Sequence, residues 1–235
     1  MKHTWKVALA VAVMAGSAGA AKADITLSGP TGLFMNPTAQ IAAKDAPEVA
    51  VDYQRYSNGG YHANDFGIAG AIQLADKLEL NGGYHRLGND DGNIWNIGAK
   101  YQIINQAEKG LGVAVGADYS KFSDGGGHDV DVYAAATKAF NVSTDRAPIQ
   151  GTLGLRYNDN DFGGSKVDVF AGVAVPLNRT GEFSLIGELG SKRSDYGDTS
   201  YALGVRYHPA GSSFNVGAGI ARDIVFVQAG YQFGK

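Results

Sequence analysis

The last strand-length stretch of the chain, Asp223–Phe233, reads D-I-V-F-V-Q-A-G-Y-Q-F. Its alternate residues Val225, Val227, Ala229, Tyr231 and Phe233 make one face, and Phe226, Gln228, Gly230 and Gln232 make the other. Side chains alternate across a β-strand. The stretch is therefore a strand with one apolar side ending in two aromatics and one smaller, more polar side. The pattern recurs along most of the chain. Dyads of about 10 residues, apolar outward and polar inward, repeated between turns, are the sequence sign of a transmembrane β-barrel.

From Pro47 onward the alternation predicts strands over Pro47–Ser57, Asp65–Leu74, Lys77–Leu87, Asn93–Ile104, Leu111–Phe122, Asp129–Phe140, Ile149–Asn158, Lys166–Leu177, Glu182–Lys192, Ser200–His208, Ser213–Ala221 and Asp223–Phe233. Turn residues punctuate them, among them Asn58-Gly59-Gly60, Ala75-Asp76, Gly125–Gly127 and Pro209–Gly211. The expected fold is all-β: an antiparallel transmembrane β-barrel of about 12 strands, with roughly 10 or 14 as alternatives, joined by short turns. A soluble sandwich or lipocalin-like barrel would turn its apolar face inward. Here the apolar face is the more uniform one, and the opposite face carries scattered charge.

The 235 residues suit one domain. The 34 glycines are roughly twice the usual ~7%, as expected where turns and walls bring backbone close. Without cysteine there are no disulfides, no thiol catalysis, no thiolate metal sites and no cysteine-linked lipid anchor. Met1–Ala23 has the form of a signal peptide. Lys2 and Lys6 precede the apolar run Val7–Ala15, and Ala21-Lys22-Ala23 supplies the small-x-small cleavage site. That run is too short for the ~20 residues of a spanning helix. Its removal takes away three lysines and no acid, moving the net charge from −3 to −6. This argues against nucleic acid as a partner. An exported chain that enters a membrane without helices must do so as a closed barrel. The expected location is the bacterial outer membrane, with its lipid and lipopolysaccharide and the barrel-assembly machinery as partners. The expected division is 1–23 signal peptide, 24–46 extended segment and 47–235 barrel.

Asp24–Ala46 breaks the dyad. Pro30 and Pro37 fit poorly in an interior strand, while Leu33, Phe34 and Met35 are apolar. Several strands face inward with very small residues: Gly67, Ala69 and Ala71; Gly112, Ala114 and Gly116; Gly217 and Gly219. A lumen of about twelve strands, between a side-chain-filled eight and a water-filled sixteen, leaves space there. The segment is thus expected either as a plug with Leu33–Met35 on the glycine-lined side, or as an extra wall strand or loose leader. The phrase G-P-T-G-L-F-M-N-P-T-A, followed by Glu48 and Tyr53 in P-E-V-A-V-D-Y, resembles the start of the outer-membrane barrel family linked to exopolysaccharide biosynthesis. The resemblance covers roughly Gly29–Leu87. It implies an outer-membrane location, a barrel beginning after the motif, and a role in polysaccharide export.

Two sets of residues are candidates for function. The inward face carries Asp52, Glu79, Lys100, Asp118, Asp131, Arg156, Asp168, Glu188 and Arg206, either a charged constriction or a salt-bridged wall. The outward aromatics sort into two girdles, as bilayer interfaces demand. Tyr53, Phe66, Tyr84, Trp95, Tyr119, Tyr157 and Tyr201 fall near the outer surface; Tyr101, Phe140, Phe183, Tyr207, Phe214, Tyr231 and Phe233 fall near the periplasmic one. Acidic loops (Asp90, Asp91, Asp124, Asp129, Asp159, Asp161, Asp195, Asp198) read as solvated loops, since N-D-N-D-F-G-G lacks the distal Glu of a calcium loop. No metal or cofactor is expected. The function expected is non-enzymatic, a narrow porin-like passive pore or an accessory barrel for exopolysaccharide export. The rival is a barrel hydrolase using His128 beside Asp129, or His208 near Ser212 and Ser213. On the wall, Gly172→Ser is expected to be mild.

Overall fold

The computed structural model describes residues 24–234 except 59, 89–91, 124, 125, 143, 144, 162 and 192–199. The signal-like segment 1–23 and the loop acids Asp90, Asp91, Asp124, Asp195 and Asp198 lie outside the described residues.

Twelve strands follow one another: β1 (Glu48–Asn58), β2 (Tyr61–Ala75), β3 (Leu78–Arg86), β4 (Asn93–Ile104), β5 (Leu111–Phe122), β6 (His128–Phe140), β7 (Ile149–Asn160), β8 (Gly164–Pro176), β9 (Phe183–Gly190), β10 (Ser200–Tyr207), β11 (Phe214–Ala221) and β12 (Ile224–Gln232). Each pairs antiparallel with the next, and β12 closes on β1. An even number makes that closure antiparallel as well. The all-β expectation and the strand count hold. Two local features differ. β2 starts at Tyr61 rather than Asp65, because its first residues pair with β1 (Asn58↔Tyr61, Ser57↔His62) although their outward positions, His62 and Asn64, are polar. One helical turn, α1 (Gln106–Lys109), joins β4 to β5; four residues are too few to leave a helical period in the sequence.

Closure matters energetically because it leaves no open edge, and unpaired backbone groups in hydrocarbon cost several kcal/mol each. The seam is well paired, from Glu48↔Gln232 to Tyr56↔Ile224. It is extended by the amide of Phe233 donating to the Pro47 carbonyl at 2.8 Å. The turns split between two ends. The start of β1, the end of β12 and the β2–β3, β4–β5, β6–β7, β8–β9 and β10–β11 turns share one rim, the terminal rim. At that rim the Glu182 carboxylate accepts the amide of Ala210 and the hydroxyl of Thr180. Those bonds hold its pKa below the ordinary carboxylate value.

The burial alternates with the sequence dyad. Val167, Val169, Leu153, Leu155, Leu189 and Leu203 are exposed on the outer surface, while Asp168, Phe170 and Arg156 between them are buried. The girdle aromatics all stand on this outer face, and register brings them together. Tyr53 lies opposite Phe66 with ring centroids 5.2 Å apart, Trp95 is 5.7 Å from Tyr119, and Phe183 stacks on Tyr207 at 4.3 Å. The first four belong to the rim opposite the termini and the last two to the terminal rim. An apolar belt of this kind matches hydrocarbon. Val169→Arg, in the middle of β8, is therefore expected to cost about 2–4 kcal/mol, measured as a lower unfolding midpoint in urea with lipid present. An unchanged midpoint would place this face in water.

Candidate functional site: the barrel interior

Residues 24–46 are not a wall strand. They fold as short turns, with isolated bridges Ile25↔Thr31, Gly32↔Pro37 and Ala43↔Ala46. Most are buried against the inward faces of the strands. The two prolines explain the turns, since each removes a donor and fixes φ. At Gly29, φ is +113° and the backbone of Gly82 on β3 lies against it; an added Cβ would meet the Gly82 oxygen at 3.0 Å.

Five of the nine inward charges named from the sequence bond this segment directly. Glu188 on β9 accepts hydrogen bonds from three successive amides, Phe34 (2.7 Å), Met35 (3.1 Å) and Asn36 (2.8 Å), and from the Asn36 side chain (2.9 Å). Consecutive amides converging on one anion form a nest, in which fixed dipoles replace lost hydration. Glu79 on β3 accepts the amide of Thr31 (2.9 Å), the Thr31 hydroxyl and the amide of Ala42 (2.7 Å). Lys100 on β4, fully buried, lies 3.4 Å from Glu79 and donates to the Thr31 carbonyl at 2.6 Å. Arg206 on β10 donates to Asp24 (3.2 Å) and to the Leu33 carbonyl (3.0 Å). Its guanidinium sits 4.7 Å above the Phe34 ring. Arg156 on β7 takes Asp168 with two N–H groups (3.1 and 3.2 Å) and reaches the Asn36 side-chain oxygen at 3.0 Å.

Asp52, Asp118 and Asp131 are not bonded to the segment in the same way. Asp52 takes Gln54 (2.8 Å) and has His85 at 3.9 Å. Asp131 takes Asn158 (2.8 Å) and has Arg156 at 3.8 Å. Asp118 leans over Gly98.

Polar wall residues that sequence reasoning passed over complete the grip. Asn215 donates to both Asp24 and Glu48 (3.0 Å each). Gln102 donates to the Ala39 carbonyl (2.8 Å), while the Ala39 amide donates to Thr137 (2.9 Å). His85 pairs with the Leu27 carbonyl at 2.9 Å. Their inward register was readable from the dyad; which segment atom each would meet was not, because the partners lie tens to hundreds of residues apart in sequence.

Apolar contacts follow the glycines. Phe34 is fully buried and packs edge-on against Phe226, centroids 4.8 Å apart. It occupies the space over Gly204 and Gly217, where an added Cβ would meet its ring at 2.8 and 2.6 Å. Leu33 fills the space over Gly172, where a Cβ would meet its Cδ1 at 2.2 Å. Ile25 and Ala42 pack with Ala50, Ala69 and Ala71. The expectation that Gly172→Ser is mild holds for the wall alone, because the atom met is the terminal methyl of Leu33, which belongs to the segment. The new side chain collides with Leu33, so the substitution is expected to loosen the segment, read as faster proteolysis within residues 24–46.

Glu188→Ala provides a second test of the grip. It leaves the amides of Phe34, Met35 and Asn36 without their acceptor, at about 1–3 kcal/mol for a buried group. The barrel hydrogen bonds are untouched. The expected result is a folded barrel whose segment is cleaved by added protease; a segment as protected as in the wild type would contradict the assignment.

The histidines are dispersed. His128 lies 2.6 Å from Asp161, His208 lies 3.4 Å from Asp24, and His62 shares a 2.9 Å hydrogen bond with Ser57.

No protein-family model matches the chain, and no curated protein matches its sequence. Among solved structures it is similar to the KdgM porin in complex with disordered oligogalacturonate, at 15% identity and TM-score 0.56 over 79% of this chain and 99% of that one. It is also similar to the NanC porin, at 13% identity and TM-score 0.56 over 80% of this chain and 100% of that one. A third is the outer membrane protein Omp33 of Acinetobacter baumannii, at 10% identity and TM-score 0.51 over 81% and 99%. What this chain shares with them is the fold, an antiparallel barrel.

Proposed function

We propose that the chain is a bacterial outer-membrane barrel that passes small solutes passively and is narrowed by its own N-terminal segment. The observation that carries this reading is the interior: a closed wall of twelve strands whose buried Glu79, Lys100, Glu188 and Arg206 bond residues 24–42 rather than one another alone. The apolar belt with aromatic rims supports a bilayer setting, and the form of Met1–Ala23 supports export through a cleaved signal. Two of the similar solved structures are porins by name, which supports a passive, non-enzymatic role. The test is planar-bilayer recording of the refolded protein. Small discrete current steps are expected; silence both with residues 24–44 present and with them deleted contradicts the pore.

An accessory role in exopolysaccharide export is the second reading. The motif that resembles the exopolysaccharide barrels, Gly29–Ala39, is the part that binds Glu79, Glu188 and Arg206. This reading predicts that cells lacking the protein lose surface polysaccharide, whereas the pore reading predicts no such loss.

A further inference from the structure

The interior on the side away from the termini carries an unbalanced charge. Arg156 is taken by Asp168 through two hydrogen bonds and also lies 3.8 Å from Asp131, so one cation serves two acids. The other inward carboxylates toward that mouth are Asp52 on β1, Asp65 on β2, Asp118 on β5, and Asp129 and Asp131 on β6. Among the described inward-facing strand residues there, they face Lys166 on β8 and His85 on β3. Lys100, one step closer to the termini, has its charge offset by Glu79 and by the Thr31 carbonyl. The acids are coupled across the sheet. Asp118 and Asp131 are register partners, and Asn158 donates to both Asp129 and Asp131.

A second observation points the same way. Tyr133 is only 3% exposed, and its hydroxyl has no hydrogen-bond partner among the described residues. Its ring crosses Gly116, where an added Cβ would meet the hydroxyl oxygen at 2.4 Å. Gly116 is the inward residue next to Asp118 on β5, and Tyr133 the one next to Asp131 on β6. The hydroxyl therefore lies beside the acidic pair. Among the described residues Asp118 Oδ1 and both amide atoms of Asn81 also lack partners. Through Gly98, which pairs with both Asn81 and Asp118, they form one patch across β3–β6. Buried polar atoms are ordinarily satisfied by protein, water or an ion. A strip of carboxylate, phenol and amide oxygens offers acceptors to water and to a small cation.

Resting on the pore reading, we infer that the solute path runs along the β3–β6 wall beside the docked segment and selects small cations, with Asp118, Asp131 and Tyr133 as its selective stretch. Carboxylates focused in a narrow low-dielectric passage raise the local concentration of cations and exclude anions. A polyanion such as the oligogalacturonate bound by the KdgM porin is the wrong ligand for this wall.

The experiment is the reversal potential of single channels of the refolded protein in a potassium chloride gradient. The expected result is potassium preferred over chloride. Asp118→Asn combined with Asp131→Asn is expected to bring the permeability ratio several-fold closer to one, in protein whose folded gel mobility is unchanged. Equal or chloride-preferring permeation, or a ratio that the double substitution leaves alone, overturns the inference while the pore reading stands. If the intact chain gives no steps, the same gradient is applied to the variant lacking residues 24–44, whose wall keeps the acids; chloride preference there overturns the inference, and silence in both overturns it together with the pore.

Discussion

Deleting Asp24–Lys44 is expected to raise single-channel conductance several-fold while leaving a folded barrel. The wall does not depend on the segment for its ladders: each strand bonds its neighbours, and β12 closes on β1 from Glu48 onward. What the deletion removes is the filling. Phe34 is fully buried over Gly204 and Gly217, Leu33 over Gly172, and Ile25 and Ala42 among Ala50, Ala69 and Ala71. The wall positions directly beneath these side chains are glycine and alanine, which are too short to refill the space. The deletion also strands Glu79, Glu188 and Arg206 without their segment partners. Buried charge without a partner is costly, but an emptied interior admits water, and water solvates them. Stability is therefore expected to fall less than the lost bonds suggest, and conductance to rise more than any single wall substitution could produce. Bilayer recording of the two proteins side by side reads the change. Equal conductance would mean that the segment does not obstruct the path.

Deleting Gln228–Lys235 is expected to abolish membrane insertion. Those residues supply the β12 partners of Glu48–Asp52 on β1 and of Phe214–Gly217 on β11. Their loss opens both sides of the seam in the half of the barrel nearest the termini. In hydrocarbon each unpaired backbone group costs several kcal/mol, and several are exposed together. Trimming only Gly234 and Lys235 leaves the ladder whole and is expected to leave insertion intact. Folded, heat-resistant protein recovered in membranes from the longer deletion would contradict the seam described here.

The wall was legible in the sequence because a barrel strand is a period-2 object with one face in lipid and the other in polar surroundings. Val225, Val227, Ala229, Tyr231 and Phe233 alternate with Phe226, Gln228, Gly230 and Gln232, and that alone fixes which way each side chain points. Where the alternation fades, legibility fades. The outward positions of Tyr61–Asn64, His62 and Asn64, are polar rather than apolar, and only the register against β1 makes this stretch strand. The interior was legible only in outline. Pro30 and Pro37 marked 24–46 as unfit for the wall, and Leu33–Met35 marked it as unfit for water. The nest of amides around Glu188 and the carbonyl grip of Arg206 depend on how a short irregular segment folds against strands more than 150 residues away. No local pattern encodes that. The acidic patch was half visible: Asp118 and Asp131 were on the inward face by parity, whereas the placing of the Tyr133 hydroxyl beside them follows from the absence of a side chain at Gly116.

The segment's position inside the barrel is the claim on which the rest depends, and a cysteine pair tests it directly. The chain has no cysteine of its own, so Leu33→Cys together with Gly172→Cys introduces the only thiols. A Cβ at 172 would lie 2.2 Å from the present Leu33 Cδ1, so the two positions face each other closely enough to be tried against the ~3.5–4.5 Å between Cβ atoms that a disulfide spans. Mild oxidation of the folded protein in detergent is predicted to consume both thiols within one chain, shift its mobility on a non-reducing gel and hold conductance at its low value until reductant is added. Two thiols that stay free and react with a bulky maleimide in the folded protein would show that residues 24–46 do not lie within the wall.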